Sequence, residues 1–153
     1  MRKNHSRQRV VFCILAPMSK NDNYRPAVTI GDGIEGEGLF AAEAISKGQL
    51  IVEYTGERIS DAESERRGGR YLFEVKKDLV IDGSHPSHTA RYINHACKPN
   101  AEAEHEVTED RVYVRAARKI RPGEEITIDY GEEYMKDIIK PDGGCRCPEC
   151  RAT

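Results

Sequence analysis

Apolar residues along this chain fall into short runs that end at turn-forming positions. Runs rich in β-branched and aromatic residues occupy residues 50–54, 71–75, 79–81, 111–115 and 125–130, each bounded by Gly, Pro or Asp. Runs of this length and composition are typical of β-strands. The pattern therefore predicts a mainly β fold of short strands, and the absence of any long internal repeat argues against solenoids and propellers.

One helix is marked at both of its ends. Ser60 is a favourable N-cap residue, and Glu63 three positions later completes the signature of a capping box. Gly68 and Gly69 end the segment. Because no apolar stripe runs along it, we expect a short surface helix that connects two strands.

Length and charge narrow the possible functions. The chain has 153 residues, enough for one ordinary domain. Residues 1–30 contain six Lys or Arg and one Asp, a net charge of +5, so the total of −2 leaves −7 for the remainder. An acidic body attracts basic protein partners and repels nucleic acid, although a merely solvated acidic surface fits the charge equally well.

The start of the chain superficially resembles a secretory signal. A basic stretch precedes the seven-residue apolar run of residues 10–16. Pro17 follows the run at once, and no small-residue cleavage site precedes the polar stretch that begins at Ser19. We therefore expect a short edge strand or a frayed arm, and an intracellular protein, cytoplasmic or nuclear, that is neither secreted nor membrane-bound.

The most specific motif is RYINHACKPN at residues 91–100, where an amide, an imidazole and a thiol crowd beside a Pro-Asn turn. This string resembles the RFINHSCxPN signature of SET-domain lysine methyltransferases, with Ala96 in place of the usual serine. Three further motifs follow the order of that family: GEG at residues 36–38, YTGE at residues 54–57 and DYG at residues 129–131. Together the motifs and the cysteine tail span residues 28–150, which makes coincidence improbable.

The resemblance implies the SET fold: several small β-sheets, short helices, and a C-terminal segment threaded through a loop in a pseudoknot-like arrangement. It divides the chain into a basic N-terminal arm at residues 1–27, a SET domain at residues 28–135 and a post-SET-like zinc-binding tail at residues 136–153. The implied activity is transfer of a methyl group from S-adenosylmethionine to a lysine amine.

The same resemblance assigns roles to individual residues. Tyr130 and Tyr54 would be the active-site tyrosines; the alternative is that each is a core tyrosine with a satisfied hydroxyl. Asn94 would bind the amino acid portion of the cofactor through its amide, and His95 would approach the adenine through its backbone. The full set expected to bind the cofactor is Glu35, Gly36, Glu37, Gly38, Leu39, Tyr71, Arg91, Asn94 and His95.

Strand geometry adds an expectation about the product. In a strand that ends at Tyr130, Ile126, Ile128 and Tyr130 face one side. Ile128 would then neighbour the catalytic hydroxyl, at a position that in this family limits how many methyl groups fit. Because isoleucine offers no hydroxyl to restrain a partly methylated amine, we expect di- or trimethylation.

Four cysteines predict a structural metal site. Cys145, Cys147 and Cys150 supply three thiols, and Cys97 can supply the fourth ligand that structural zinc requires. The resemblance is to a post-SET zinc site, although CxCxxC replaces the commoner CxCxxxxC spacing. A redox pair at Cys147 and Cys150, or disulfides, are the alternatives.

These patterns predict an intracellular protein-lysine N-methyltransferase with S-adenosylmethionine as methyl donor, structural zinc and a basic lysine-containing protein as substrate. Histones are the best-known substrates of the family, and direct nucleic-acid binding is not expected. One rival interpretation is a catalytically inactive SET domain that serves as a zinc-stabilised interaction module. Another is a methyltransferase that acts on a group other than lysine.

Overall fold

A computed structural model describes residues 8–9, 12–13 and 20–152. Within these residues we number the strands in chain order: β1 (Gln8–Arg9), β2 (Phe12–Cys13), β3 (Val28–Asp32), β4 (Glu37–Ala41), β5 (Leu50–Glu53), β6 (Glu57–Ile59), β7 (Leu72–Lys76), β8 (Leu79–Asp82), β9 (Asn94–His95), β10 (Ala101–Glu106), β11 (Arg111–Ala116) and β12 (Thr127–Ile128). The helices are α1 (Asp61–Arg67), α2 (Glu132–Tyr134) and α3 (Pro148–Arg151). Short 3₁₀ turns cover Lys20–Asn23 and Thr89–Tyr92, and a π-helical turn covers Met135–Ile139.

The strands form four small sheets. Two have four strands each, in the orders β1-β7-β8-β6 and β2-β10-β11-β5. The other two are the antiparallel β3-β4 hairpin and the parallel pair of β9 with β12. The prediction of a mainly β fold with several small sheets and short helices is confirmed.

Much of the strand pattern was predictable. The predicted runs at residues 50–54, 71–75, 79–81 and 111–115 coincide closely with β5, β7, β8 and β11. The apolar run at residues 10–16 contains β2, which pairs with β10, and the rest of that run lies outside the described residues. Most of the predicted arm at residues 1–27 lies outside them as well.

The predicted strand at residues 125–130 is shorter than expected because it changes partners along its length. Glu125 bridges Phe40, and the N–H of Ile126 donates to the carbonyl of Leu39 in β4. Only Thr127 and Ile128 then pair with β9. This switch places residues 125–130 between the β4 hairpin and the Asn94–His95 segment.

Helix α1 forms where predicted. The Ser60 hydroxyl accepts from the Glu63 N–H at 3.2 Å, and Gly68, at φ 65°, donates to the Ser64 carbonyl. The Glu63 carboxylate pairs with Arg66 and Arg67, so it does not close the second half of the capping box. The helix lies on the surface, with Ser64 as its buried residue.

A shared core holds the small sheets together. Buried residues of β4, β5, β7, β11 and β12 pack in one cluster that includes Leu39, Ile51, Phe73, Val112 and Ile128. The buried amide of Asn100 fixes the last of these strands, since its Nδ2 donates to the Glu125 carbonyl and its Oδ1 accepts from the Thr127 N–H. None of the described helices is long and apolar enough to cross a membrane.

Candidate active site

One cavity gathers most of the residues that the motifs singled out. Its walls are the loop before β4, the segment before β7, the turn that leads into β9, the segment after β12, and the C-terminal tail. The residues that line it are Ile34, Glu35, Gly36, Glu37, Arg70, Tyr71, Arg91, Tyr92, Asn94, His95, Tyr130, Tyr134, Ile139, Cys145 and Arg146.

Seven of the nine residues predicted to bind a cofactor line this cavity. The exceptions are Gly38 and Leu39. Leu39 is fully buried in the core, and Gly38 faces the Cα of Gly33, which a Cβ added at Gly38 would meet at 2.9 Å. The predicted need for small residues in the GEG segment therefore has two causes: close packing at Gly38 and a positive φ of 63° at Gly36.

The amide of Asn94 is oriented by two acceptors. Its Nδ2 donates to the Glu37 carbonyl at 3.1 Å and to Glu125 Oε1 at 2.7 Å. Both amide hydrogens are thereby used, so Oδ1 is the atom that remains to accept a bond from a ligand. This orientation suits a positively charged donor such as an α-ammonium group.

Glu125 is a site residue that sequence reasoning missed. Its carboxylate accepts from the Ile34 N–H at 3.1 and 2.9 Å as well as from Asn94. The available signal in the sequence was an acidic residue at the start of an apolar strand. In the structure its carboxylate is half-buried and therefore requires partners. Glu125 fastens the loop that carries Glu35 to the wall that carries Asn94.

Arg91 brings a positive charge to the cavity wall. Its guanidinium carbon lies 4.1 Å from the ring centroid of Tyr71 and 5.2 Å from that of Tyr92. Within the described part of the chain, its buried Nε has no hydrogen-bond partner. The side chain is held by aromatic contact and retains a donor for an anionic group.

The two predicted catalytic tyrosines are anchored through their hydroxyls. Tyr130 donates to the Ile93 carbonyl at 2.6 Å, and Tyr54 donates to the Tyr71 carbonyl at 3.1 Å. Burial raises the pKa of Tyr130 well above its ordinary value, and burial likewise raises the pKa of Tyr54. Both therefore stay protonated at neutral pH, and each hydroxyl oxygen can still accept a hydrogen bond.

Tyr134 is a further tyrosine that the sequence did not single out. Its ring meets that of Tyr130 edge-on, with centroids 4.9 Å apart, and its hydroxyl donates to the Arg70 carbonyl at 3.0 Å. Burial raises the pKa of Tyr134 to about 12. Helix α2 begins only at Glu132, after Tyr130, so no helical spacing in the sequence pointed to Tyr134.

Ile128 lies in the core, 2% exposed, with its carbonyl accepting from the Ala96 N–H. Ile126 and Thr127 are also buried, and the segment is hydrogen-bonded first to β4 and then to β9. Ile128 is not among the residues that line the cavity. Its influence on the number of methyl groups stays a prediction.

His95 joins the tyrosine wall to the cysteines through its side chain. Its Nδ1 accepts from the Tyr130 N–H at 3.2 Å, which leaves the proton on Nε2, 3.6 Å from Cys97 Sγ. Burial lowers the pKa of His95, and the Asp129 carboxylate partly opposes this shift. The expected backbone contact of His95 with the adenine stays a prediction, and the structure shows in addition that the imidazole contacts Tyr130 and Cys97.

The four predicted metal ligands converge at one point. The Sγ atoms of Cys97, Cys145, Cys147 and Cys150 lie within 4.8 Å of one another, with Cys97 3.6 Å from Cys150 and 3.9 Å from Cys145. Zinc–sulfur bonds of about 2.3 Å in a tetrahedron require sulfur separations of roughly 3.8 Å. These thiols are free, and their separations fit zinc far better than a disulfide of about 2.05 Å.

The tail that carries three of these cysteines closes one side of the cavity. Arg151 donates to the Ile34 carbonyl at 3.1 Å, and Arg146 lies 3.8 Å from Glu35. Arg70 pairs with Asp142 of the tail and lies 3.9 Å from Glu35. A metal at the cysteines would thus order a segment that directly contacts the loop at Ile34 and Glu35, which we call the cofactor loop.

Comparison with known proteins identifies the family. Residues 36–131 match the SET domain model, and the chain belongs to the SET-domain family. It is 40% identical over 128 residues to the histone-lysine N-methyltransferase trr of Drosophila melanogaster and 43% identical over 123 residues to the histone-lysine N-methyltransferase ASHR3 of Arabidopsis thaliana. These matches cover 77% and 73% of this chain, but only 5% and 24% of the two relatives.

Solved structures agree with this assignment. The polycomb repressive complex 2 of Chaetomium thermophilum matches with a TM-score of 0.64 and 34% identity, over 71% of this chain and 16% of that chain. A second match is the same complex in an autoinhibited conformation bound to S-adenosylmethionine, with a TM-score of 0.62 and 34% identity, over 72% of this chain and 16% of that one. The family resemblance and the fold predicted from the motifs are confirmed.

Proposed function

We propose that this protein is an S-adenosylmethionine-dependent protein-lysine N-methyltransferase. The observation that carries the proposal is one cavity lined together by Asn94, by Arg91, whose buried Nε has no hydrogen-bond partner among the described residues, and by Tyr130. Relatives named as histone-lysine N-methyltransferases and a SET neighbour bound to S-adenosylmethionine support it.

The cavity suits the amino acid end of the methyl donor. Asn94 Oδ1 can accept from an ammonium group, and Arg91 can donate to a carboxylate. Glu35, Gly36 and Glu37 line the wall opposite. When bound, S-adenosylmethionine supplies an electrophilic methyl group on a positively charged sulfur.

The tyrosines would prepare the accepting amine. A lysine amine has an ordinary pKa of about 10.4 and must lose its proton before it can attack a methyl group. An enclosed channel with little water disfavours the ammonium form. Because each tyrosine proton is committed to a backbone carbonyl, the oxygens of Tyr130 and Tyr54 are left to accept from the amine N–H and to aim its lone pair.

The charge of the chain supports the proposed substrate class. The body of the chain is acidic, which favours a lysine-rich protein segment over nucleic acid, and histones are the first substrates to test. We further propose di- or trimethylation from Ile128, structural zinc at the four cysteines, action inside the cell, and the division into residues 28–135 and 136–153. The small share of each relative that this chain spans leaves targeting to be determined by experiment.

Calorimetric titration of S-adenosylmethionine into zinc-loaded protein tests the proposal without knowledge of the substrate. The wild type should bind, and Asn94→Ala should bind at least about tenfold more weakly, since it loses a hydrogen bond to a charged group. Asn23→Ala, at an exposed asparagine, is the matched control and should bind like the wild type. A folded wild type that does not bind would favour the zinc-stabilised interaction module.

A further inference from the structure

The carboxylate of Glu125 ties together two walls of the cavity that are far apart in sequence. Both of its oxygens accept from the N–H of Ile34, 91 residues away, at 3.1 and 2.9 Å. Oε1 also accepts from Asn94 Nδ2, 31 residues away, at 2.7 Å. One side chain therefore holds the loop before β4 against the start of β9.

Two glycines leave the space that this carboxylate occupies. A Cβ added at Gly33 would lie 2.5 Å from Glu125 Oε1 and 2.8 Å from Asn94 Nδ2. A Cβ added at Gly38 would lie 2.4 Å from the same oxygen. The absence of side chains at these two positions lets the carboxylate reach both partners.

The contact with Glu125 also determines which face Asn94 presents. An amide can rotate by half a turn and exchange its oxygen with its nitrogen at little steric cost. Here a carboxylate on one side and the Glu37 carbonyl on the other accept from Nδ2, so the opposite orientation would set oxygen against oxygen. The amide oxygen is thereby directed away from Glu125.

We propose that Glu125 is a positioning residue of the cofactor site: it locks the Asn94 amide with Oδ1 available to the ligand and fastens the cofactor loop through Ile34. This inference rests on the proposed function for the identity of the ligand. The placement of the loop and of the amide does not depend on it.

Glu125→Gln is the sharpest variant, because it keeps size and shape but turns one acceptor into a donor that faces Ile34 N–H or Asn94 Nδ2. The S-adenosylmethionine dissociation constant should rise about tenfold, as expected for loss of a charge-assisted hydrogen bond. In turnover, KM for S-adenosylmethionine should rise while KM for a lysine peptide stays within about twofold. If the role of Glu125 were purely structural, the variant would instead have a lower melting temperature, and the ratio of the two KM values would stay the same as in the wild type.

Glu124→Gln is the matched control from the adjacent position. Glu124 pairs with Arg118 and accepts from the Arg121 N–H on the surface, away from the cavity. The control should bind S-adenosylmethionine like the wild type. Asn94→Ala completes a double-mutant cycle. If Glu125 acts through the Asn94 amide, Glu125→Gln should weaken S-adenosylmethionine binding clearly less in the Asn94→Ala protein than in the wild type.

Hydrogen exchange of the Ile34 amide provides a readout that needs no ligand. Its protection should fall in Glu125→Gln and stay unchanged in Glu124→Gln. If the wild type does not bind S-adenosylmethionine but Ile34 loses protection, the proposed function fails and the positioning role stands. Unchanged Ile34 protection, or equal affinities in Glu125→Gln and wild type, would overturn the inference.

Discussion

Three buried tyrosine hydroxyls each donate to a backbone carbonyl; Tyr130 and Tyr134 line the cavity, whereas Tyr54 does not. Tyr130 donates to Ile93, Tyr54 to Tyr71 and Tyr134 to Arg70. With these protons committed and the pKa values raised by burial, none of the three is available as a base at neutral pH. Their shared property is a hydroxyl oxygen that can still accept a hydrogen bond, which in the proposed mechanism would orient an amine and leave its deprotonation to the low polarity of the channel.

Tyr130→Phe should separate this orienting role from cofactor binding. Removing a fixed polar group at the reacting centre costs about 100-fold in turnover, while S-adenosylmethionine affinity should change by less than about threefold. Radiolabelled methyl transfer and calorimetry measure the two quantities. Tyr24→Phe removes an exposed hydroxyl that donates to Glu43 and is the control. Equal turnover in Tyr130→Phe and the control would refute a catalytic role for Tyr130.

The raised pKa of Tyr134 predicts how the free energy of unfolding changes at alkaline pH. Its pKa is about 12 in the folded protein, above the ordinary value of about 10, so the unfolded state loses this proton first as pH rises. Its contribution to stability is therefore complete below about pH 10 and declines between about pH 10 and pH 12. Tyr134→Phe lacks this decline.

Urea unfolding from about pH 9 to about pH 11 tests this linkage. The gap in unfolding free energy between wild type and Tyr134→Phe should narrow by about 1 kcal/mol over that range. A constant gap would mean that Tyr134 ionises equally easily in the folded and unfolded states.

The secondary-structure elements differ in how well their sequences predict them. Strands β5, β7, β8 and β11 were predicted because runs rich in β-branched and aromatic residues are bounded there by turn-forming residues. Strand β10 was not, because its sequence AEAEHE carries little strand propensity and is stabilised by pairing with β11 along its whole length. Strand β12 was predicted too long, since a change of partner at Ile126 is a tertiary event that no local pattern records.

The C-terminal tail depends on its metal more than on its own core. Helix α3 has no buried residues, and the tail is held by the cysteines and by contacts of Arg146 and Arg151 with the loop at Glu35 and Ile34. Removal of zinc should release these contacts and weaken S-adenosylmethionine binding by about tenfold, while the sheets stay folded.

Chelation followed by calorimetry and circular dichroism measures this effect, and re-addition of zinc should restore affinity. Cys147→Ser, which removes the fully buried ligand, should reproduce the zinc-free behaviour. Unchanged affinity in verified zinc-free protein would show that the tail does not organise the cofactor loop.

At the scale of the whole molecule, three of the four motifs meet at one cavity although they are far apart in sequence, and the YTGE motif at residues 54–57 does not line it. The motifs identified the family. Seven of the nine residues expected to bind the cofactor line this cavity. They could not reveal Glu125 or Tyr134, because the roles of these residues come from partners 91 and 64 positions away in the chain. Long-range contacts of this kind are set by topology, and spacing along the chain does not encode them.

The measurement that tests the central claim most directly is mass spectrometry of core histones after incubation with the zinc-loaded protein and S-adenosylmethionine. Our account predicts methyl groups on lysine side chains, two or three on the modified lysine, and their loss in Tyr130→Phe. Methylation of no lysine by a protein that binds S-adenosylmethionine, or equal methylation by Tyr130→Phe, would contradict it.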